Sequence, residues 1–147
     1  MDKKKIYFNR SQIESMTVAA NSEFIVASRG YGKSEGIDAP RMLRNVLHMP
    51  RSLGALLSPT HTKMLTNTLP AVKIGLARMG FKQDIHYVIG RKPDKKLGFT
   101  PPRRTVDKYD YIMSWFNGTV VFLLSFDRPM SANSLSLDWI MGFEAKF

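Results

Sequence analysis

A chain of 147 residues with 44% apolar content and a formal net charge of +10 fits one globular domain, or part of one, better than a disordered segment. It contains no cysteine, which excludes disulfides and thiolate metal sites, and no apolar run approaches the roughly 20 residues that span a bilayer. The charge comes from 22 lysines and arginines against 12 carboxylates and suits a polyanionic partner such as nucleic acid.

The charged start, Met1-Asp2-Lys3-Lys4-Lys5, lacks the apolar stretch of a secretory leader, so a soluble intracellular protein is expected. Ser11-Gln12-Ile13-Glu14 is a capping box and predicts a helix from Ser11 to about Ala20. Phe24-Ile25-Val26-Ala27 is short, apolar and partly β-branched, the pattern of a buried strand. It runs into the octet Ala27-Ser28-Arg29-Gly30-Tyr31-Gly32-Lys33-Ser34, which follows the phosphate-binding pattern G-x-x-x-x-G-K-[ST] except for alanine at its first position. Gly30 and Gly32 let the backbone curl so that successive N–H groups converge on phosphate oxygens. Lys33 would reach the β- and γ-phosphates, and the Ser34 hydroxyl would sit on Mg²⁺. Residues 34–47 read as the helix whose positive dipole end completes that anion site.

Residues 54–58 predict a second strand that stops at Pro59, and residues 62–79 a helix with Pro70 as a kink or break and Gly80 as its stop. Leu69, Val72, Leu76 and Met79 fall on one face of that helix. Residues 87–90 read as a strand. Residues 91–104 hold six cations against Asp94 alone, and Pro93, Gly98, Pro101 and Pro102 mark them as a loop. A solvated basic loop and a DNA-contacting one both fit. Residues 111–116 and 119–125 read as strands joined by the hairpin turn Asn117-Gly118. A last buried strand, residues 139–143, leads into Glu144. His48, His61 and His86 are scattered and expected in loops or on the surface. This order predicts an α/β fold with a mainly parallel sheet and an inserted antiparallel hairpin.

Nucleotide hydrolysis on such a loop needs a second, acidic strand end: one carboxylate to help hold Mg²⁺ and another to orient or deprotonate the attacking water. Glu144 is the candidate of that form, emerging where strand ends meet the phosphate loop. Its predecessor, however, is Phe143, which can neither coordinate a metal nor bond to a metal-bound water. Asp138 lies at the opening of the strand, the wrong end, and reads as structural.

The octet with arginine inside it resembles the Walker A segment of phage terminase large subunits, the ATPases that pump DNA into procapsids. Leu56-Leu57-Ser58-Pro59-Thr60 with Leu69-Pro70 and Gly75-Leu76 is similar to the family's next strand and helix, and Phe116-Asn117-Gly118-Thr119 with Leu124-Ser125 to its hairpin. Residues 137–147 resemble its Walker B region. The resemblance spans residues 24–147 and implies a P-loop NTPase core of the RecA-like, additional-strand type, ending after the Walker B strand. Residues 1–22 would be an adenine-side segment, with Asn9 and Gln12 where the family reads adenine, and residues 23–147 a partial ATPase domain without the nuclease domain.

The same resemblance implies ATP and Mg²⁺ as cofactors, residues 27–34 and Gln12 as nucleotide-binding, Ser34 as the Mg²⁺ ligand, and Glu144 with Lys33 and Arg29 as catalytic. Arg29 matches a family arginine proposed to sense or stabilise the γ-phosphate across a subunit boundary. Duplex DNA, a portal protein, a small terminase subunit and a homo-oligomeric ring are the implied partners, with no membrane, in the bacterial cytoplasm at the procapsid. Two departures stand out: the family usually has aspartate at the position of Phe143 and often glycine near Ser134. The family's strand after Walker B would also fall beyond this chain and leave a gap beside the phosphate-loop strand, so the chain alone is expected to be impaired. A helicase-like translocase fragment and a non-catalytic nucleotide- or DNA-binding module stay open as alternatives.

Overall fold

The computed structural model describes Tyr7, Arg10, residues 37–125 and residues 136–143. The capping-box helix, the first strand, the octet and Glu144 lie outside the described residues. Helix α1 (Ala39–His48) realises the later part of the predicted phosphate-loop helix. It has proline in its first turn, where a missing N–H costs nothing. Ala39, Met42, Leu43 and Val46 recur at helical spacing and are buried on one face.

Strand β1 (Leu53–Ser58) follows and ends, as expected, before Pro59. The single predicted helix is divided into three parts: α2 (His61–Lys63), a π-helical turn (Met64–Thr68) and α3 (Leu69–Arg78). Thr60 Oγ1 accepts a hydrogen bond from the Lys63 N–H at 3.1 Å and caps the start. Pro70 has no N–H to donate and its ring crowds the carbonyl four residues back. The wider turn just before it, closed by Leu69 N–H to the Met64 carbonyl, relieves that crowding. Gly80, at φ 90°, stops α3. Its N–H bonds the Ala77 carbonyl, and the Phe81 N–H reaches back to Leu76, which together make a Schellman end. Leu69, Val72 and Leu76 are buried and Met79 packs beside them, on the predicted face.

The remaining strands are β2 (Tyr87–Ile89), β3 (Ile112–Trp115), β4 (Val120–Ser125) and β5 (Trp139–Gly142). They form one five-stranded sheet with β1, in the order β2-β3-β4-β1-β5. β4 and β5 flank β1 and pair with it in parallel, while β3 pairs antiparallel with both β2 and β4. Four of these strands therefore point one way and β3 alone opposes them, so the fold is α/β with a mixed sheet. The β3–β4 hairpin turns through Gly118 at φ 84°, with Gly118 N–H on the Trp115 carbonyl and Trp115 N–H on Thr119. That is a three-residue loop with glycine in the left-handed position.

Period-two alternation gives the sheet two apolar faces. Leu56, Met113, Trp115, Val121, Leu123 and Trp139 pack under α1 and α3 as the main core. On the opposite face Leu53, Ile112 and Val120 form a smaller cluster, covered by Val106, Tyr109 and Leu137.

Candidate functional site

Parallel strands β4, β1 and β5 end together, and their register fixes what stands at that carboxyl edge. Ser58 pairs with Ser125, Leu57 with Gly142, and the Phe143 N–H then donates to the Leu57 carbonyl at 2.8 Å. The last row across the three strands is therefore Ser125, Ser58 and Phe143. In open α/β sheets ligands bind in the crevice outside such carboxyl ends.

Ser58 Oγ and Ser125 Oγ are both buried and make no hydrogen bond among the described residues. Burying an unsatisfied hydroxyl costs on the order of 1–3 kcal/mol. Ser114 Oγ and Trp115 Nε1 share this condition in β3, so an orphaned atom alone does not mark a site. What distinguishes the serine pair is its place: neighbouring hydroxyls, in register, at the edge where backbone pairing ends. His61, the first residue of α2 after β1, is buried against the Tyr111 ring, with centroids 4.1 Å apart edge to face. The expectation that every histidine lies in a loop or on the surface is corrected here: His61 opens α2 and is covered. His48 is exposed and His86 half-buried, between Phe81 and Phe116.

Phe143 belongs to the main core with Trp139 and Leu56, at 3% exposure. Its side chain packs on the helix-covered face of the sheet and offers nothing to a metal. Among the described residues no group of three or more histidine, aspartate or glutamate side chains is placed to hold a metal ion. The residues that would carry phosphate and Mg²⁺ (Ala27, Ser28, Arg29, Gly30, Tyr31, Gly32, Lys33, Ser34), and also Gln12 and Glu144, lie outside the described residues. β5 brings the chain to Phe143, one residue before Glu144, at the same edge as the two serines.

The opposite, amino edge is organised by Asp138. Its Oδ2 accepts from the Leu53 N–H at 2.8 Å and from the Arg103 guanidinium at 3.0 Å, and its own N–H donates to the Leu53 carbonyl at 2.7 Å. Asp138 thus sets the β5–β1 register and ties down the basic loop, the structural role read from its position. Beside it the Trp139 indole N–H donates to Ser52 Oγ at 3.0 Å, and its ring occupies the space a side chain at Gly54 would need. In the core, burial first and the nearby Asp84 charge second push the Tyr87 hydroxyl up to about 12.

Ser58 and Ser125 had a signal in the sequence: each closes an apolar strand run with a single hydroxyl. Only the parallel pairing of two strands far apart in the chain makes them neighbours. Comparison with protein-family models, with curated proteins and with solved structures finds no match to this chain. Among the described residues no helix is long and apolar enough to cross a membrane.

Proposed function

We propose that the chain is the ATP-binding motor portion of a terminase-type DNA-packaging ATPase, built on a P-loop core of the RecA-like, additional-strand type. The observation that carries this reading is the placement of β5 parallel to and beside β1, running to Phe143 at the edge where β1 and β4 end. A Walker B strand takes that place and direction relative to the strand after a phosphate-loop helix. The sequence octet supplies the phosphate-binding half: Lys33 and Ser34 for phosphate and Mg²⁺, with Arg29 for the γ-phosphate. Glu144 would orient the attacking water. Duplex DNA, a portal, a small terminase subunit and sister copies in a ring, in the bacterial cytoplasm, belong to the same proposal.

A second reading is a nucleotide-binding module without turnover, and a specific observation favours it. Phe143 is a core residue here, so the position that would help hold Mg²⁺ is spent on packing. One experiment separates the two. ATP binding by the whole chain is measured by calorimetry, and phosphate release with Mg²⁺ by a coupled assay, for the unaltered chain, Lys33→Ala and Glu144→Gln. The motor reading expects binding abolished by Lys33→Ala, and turnover that is weak in this chain alone and abolished by Glu144→Gln with binding kept. Turnover that Glu144→Gln abolishes selects the motor over the module, and binding unchanged by Lys33→Ala overturns both.

A further inference from the structure

The connection from β2 to β3, residues 90–111, is long for a compact domain, where loops beyond roughly 12–15 residues are usually functional or disordered. This one is neither short nor loose. Gly90 N–H bonds the Ile112 carbonyl at the carboxyl edge, where the loop begins. The Asp94 carboxylate accepts from the Lys96 N–H and caps a 3-10 turn (Lys95–Leu97). At the amino edge, Thr100 N–H bonds the Phe116 carbonyl at 2.9 Å, and Arg51 donates to the carbonyls of Pro101 and Pro102 at 3.1 and 3.3 Å. Arg103 is held by Asp138 at 3.0 Å. The chain then returns along the sheet, with Val106 and Tyr109 covering the smaller apolar cluster.

The cations of residues 91–104 divide into two kinds. Arg91 and Arg103 are paired, to Asp84 and Asp138, and fasten the arm. Lys92, Lys95, Lys96 and Arg104 are exposed and form no ion pair among the described residues. A loop whose shape is fixed before any partner arrives, with four unpaired cations on it, has already met the ordering cost of binding a polyanion.

We propose that this arm, which runs from Gly90 at the carboxyl edge to its tethers at the amino edge, is a preformed contact surface for the phosphate backbone of duplex nucleic acid. The choice of a duplex over other polyanions rests on the function proposed above, and the arm's composition agrees with it. Phe99 and Leu97 are half-buried, and the connection's exposed aromatic, Tyr111, lies at its far end against His61, so residues 91–104 present neither an aromatic platform for stacking unpaired bases nor apolar side chains for a lipid surface. Contacts of this kind are made to phosphates and read no sequence.

The test uses the whole chain and a fluorescent random-sequence duplex of about 30 base pairs, followed by anisotropy across a salt series. Each phosphate contact contributes about 0.9 to the slope of log affinity against log salt. Lys92, Lys95, Lys96 and Arg104, all changed to Gln, should flatten that slope by about 3.6 and lower affinity at least tenfold at low salt. ATP affinity of the same variant should stay within twofold. A second variant, with only the three lysines changed, should fall between, and thermal melting of both should match the unaltered chain. The proposal is overturned if the unaltered chain ignores the duplex, if the four-site variant keeps its slope, or if single-stranded DNA of equal length binds as well. Duplex binding through the arm without any ATP binding would uphold the arm and sink the ATPase reading. ATP binding abolished by Lys33→Ala, with no duplex binding, would do the reverse.

Discussion

Phe143 packs against Trp139 and Leu56 in the main core, yet it stands one residue before the proposed catalytic glutamate. Restoring the aspartate that the terminase resemblance implies would bury a carboxylate among apolar side chains. Truncating a buried phenylalanine costs about 3–5 kcal/mol, and the unpaired charge adds to that. Phe143→Asp is therefore expected to lower unfolding stability in urea by at least about 3 kcal/mol, whereas Phe143→Leu should cost less than about 1.5 kcal/mol. Equal midpoints for the two variants would show that the side chain leaves the core in solution. A silent Phe143→Asp variant would say nothing about turnover, so Glu144→Gln is the better probe of chemistry. Tyr87 offers a second residue-scale measurement. Its hydroxyl is raised from 10.0 to about 12, so the unfolded chain releases this proton first as pH rises. Stability is then full below about pH 10 and falls as pH climbs toward 12, by up to about 1.4 kcal/mol per unit. Urea unfolding at pH 9, 10 and 11 should show that decline in the unaltered chain and a shallower one in Tyr87→Phe.

Among the elements, the basic arm depends on Arg51, which sits at φ 59° while its side chain holds two proline carbonyls. A left-handed conformation costs a residue with a Cβ roughly 1–2 kcal/mol, close to the worth of one or two exposed hydrogen bonds. Arg51→Gly relieves the first and loses the second, so global stability should move by less than about 1 kcal/mol. Trypsin cleavage within residues 91–104 should nonetheless quicken several-fold; an unchanged cleavage rate would show that other tethers suffice. Gly118→Ala should be worse on both counts, because its φ is 84° and a Cβ there would lie 2.7 Å from the Pro101 carbonyl. These elements also show what the sequence made legible. Local signals carried α1, β1, the hairpin and the Gly80 stop, because caps, turns and apolar period are written in neighbouring residues. Pro70 announced a break, but how the backbone absorbs it, by a π-helical turn ahead of the proline, depends on packing. Pairing was not legible: nothing near Ser58 or Ser125 says that β1 and β4 lie side by side, and the buried place of His61 depends on Tyr111 from a distant loop. The octet and Glu144 were read from pattern alone.

At the scale of the whole molecule, the proposed nucleotide site and the tethers of the proposed DNA-contacting arm fall at opposite ends of one sheet. The serine row and Phe143 mark the carboxyl edge, where the ATPase reading puts the nucleotide; Asp138, Arg51 and the arm's tethers mark the amino edge. β1 has six residues at about 3.3 Å each, so the edges are roughly 17 Å apart, about twice the screening length at physiological salt. Direct electrostatic influence of Arg104, beside the amino-edge tethers, on a triphosphate at the proposed carboxyl-edge site is therefore expected to be small. Combining Lys33→Ala with the four-cation variant tests this. Each change is expected to abolish or weaken one binding activity alone, and the stability effects of the two should add within about 0.5 kcal/mol. Duplex affinity should be the same for Lys33→Ala and the unaltered chain in the absence of nucleotide. A Lys33→Ala chain that loses duplex affinity would place both phosphates at one site, and the division between a nucleotide site and a separate DNA-contacting arm would fail. If the division holds, adding a non-hydrolysable ATP analogue becomes informative: any change in duplex affinity must then travel through the sheet, and by linkage duplex must change analogue affinity by the same factor.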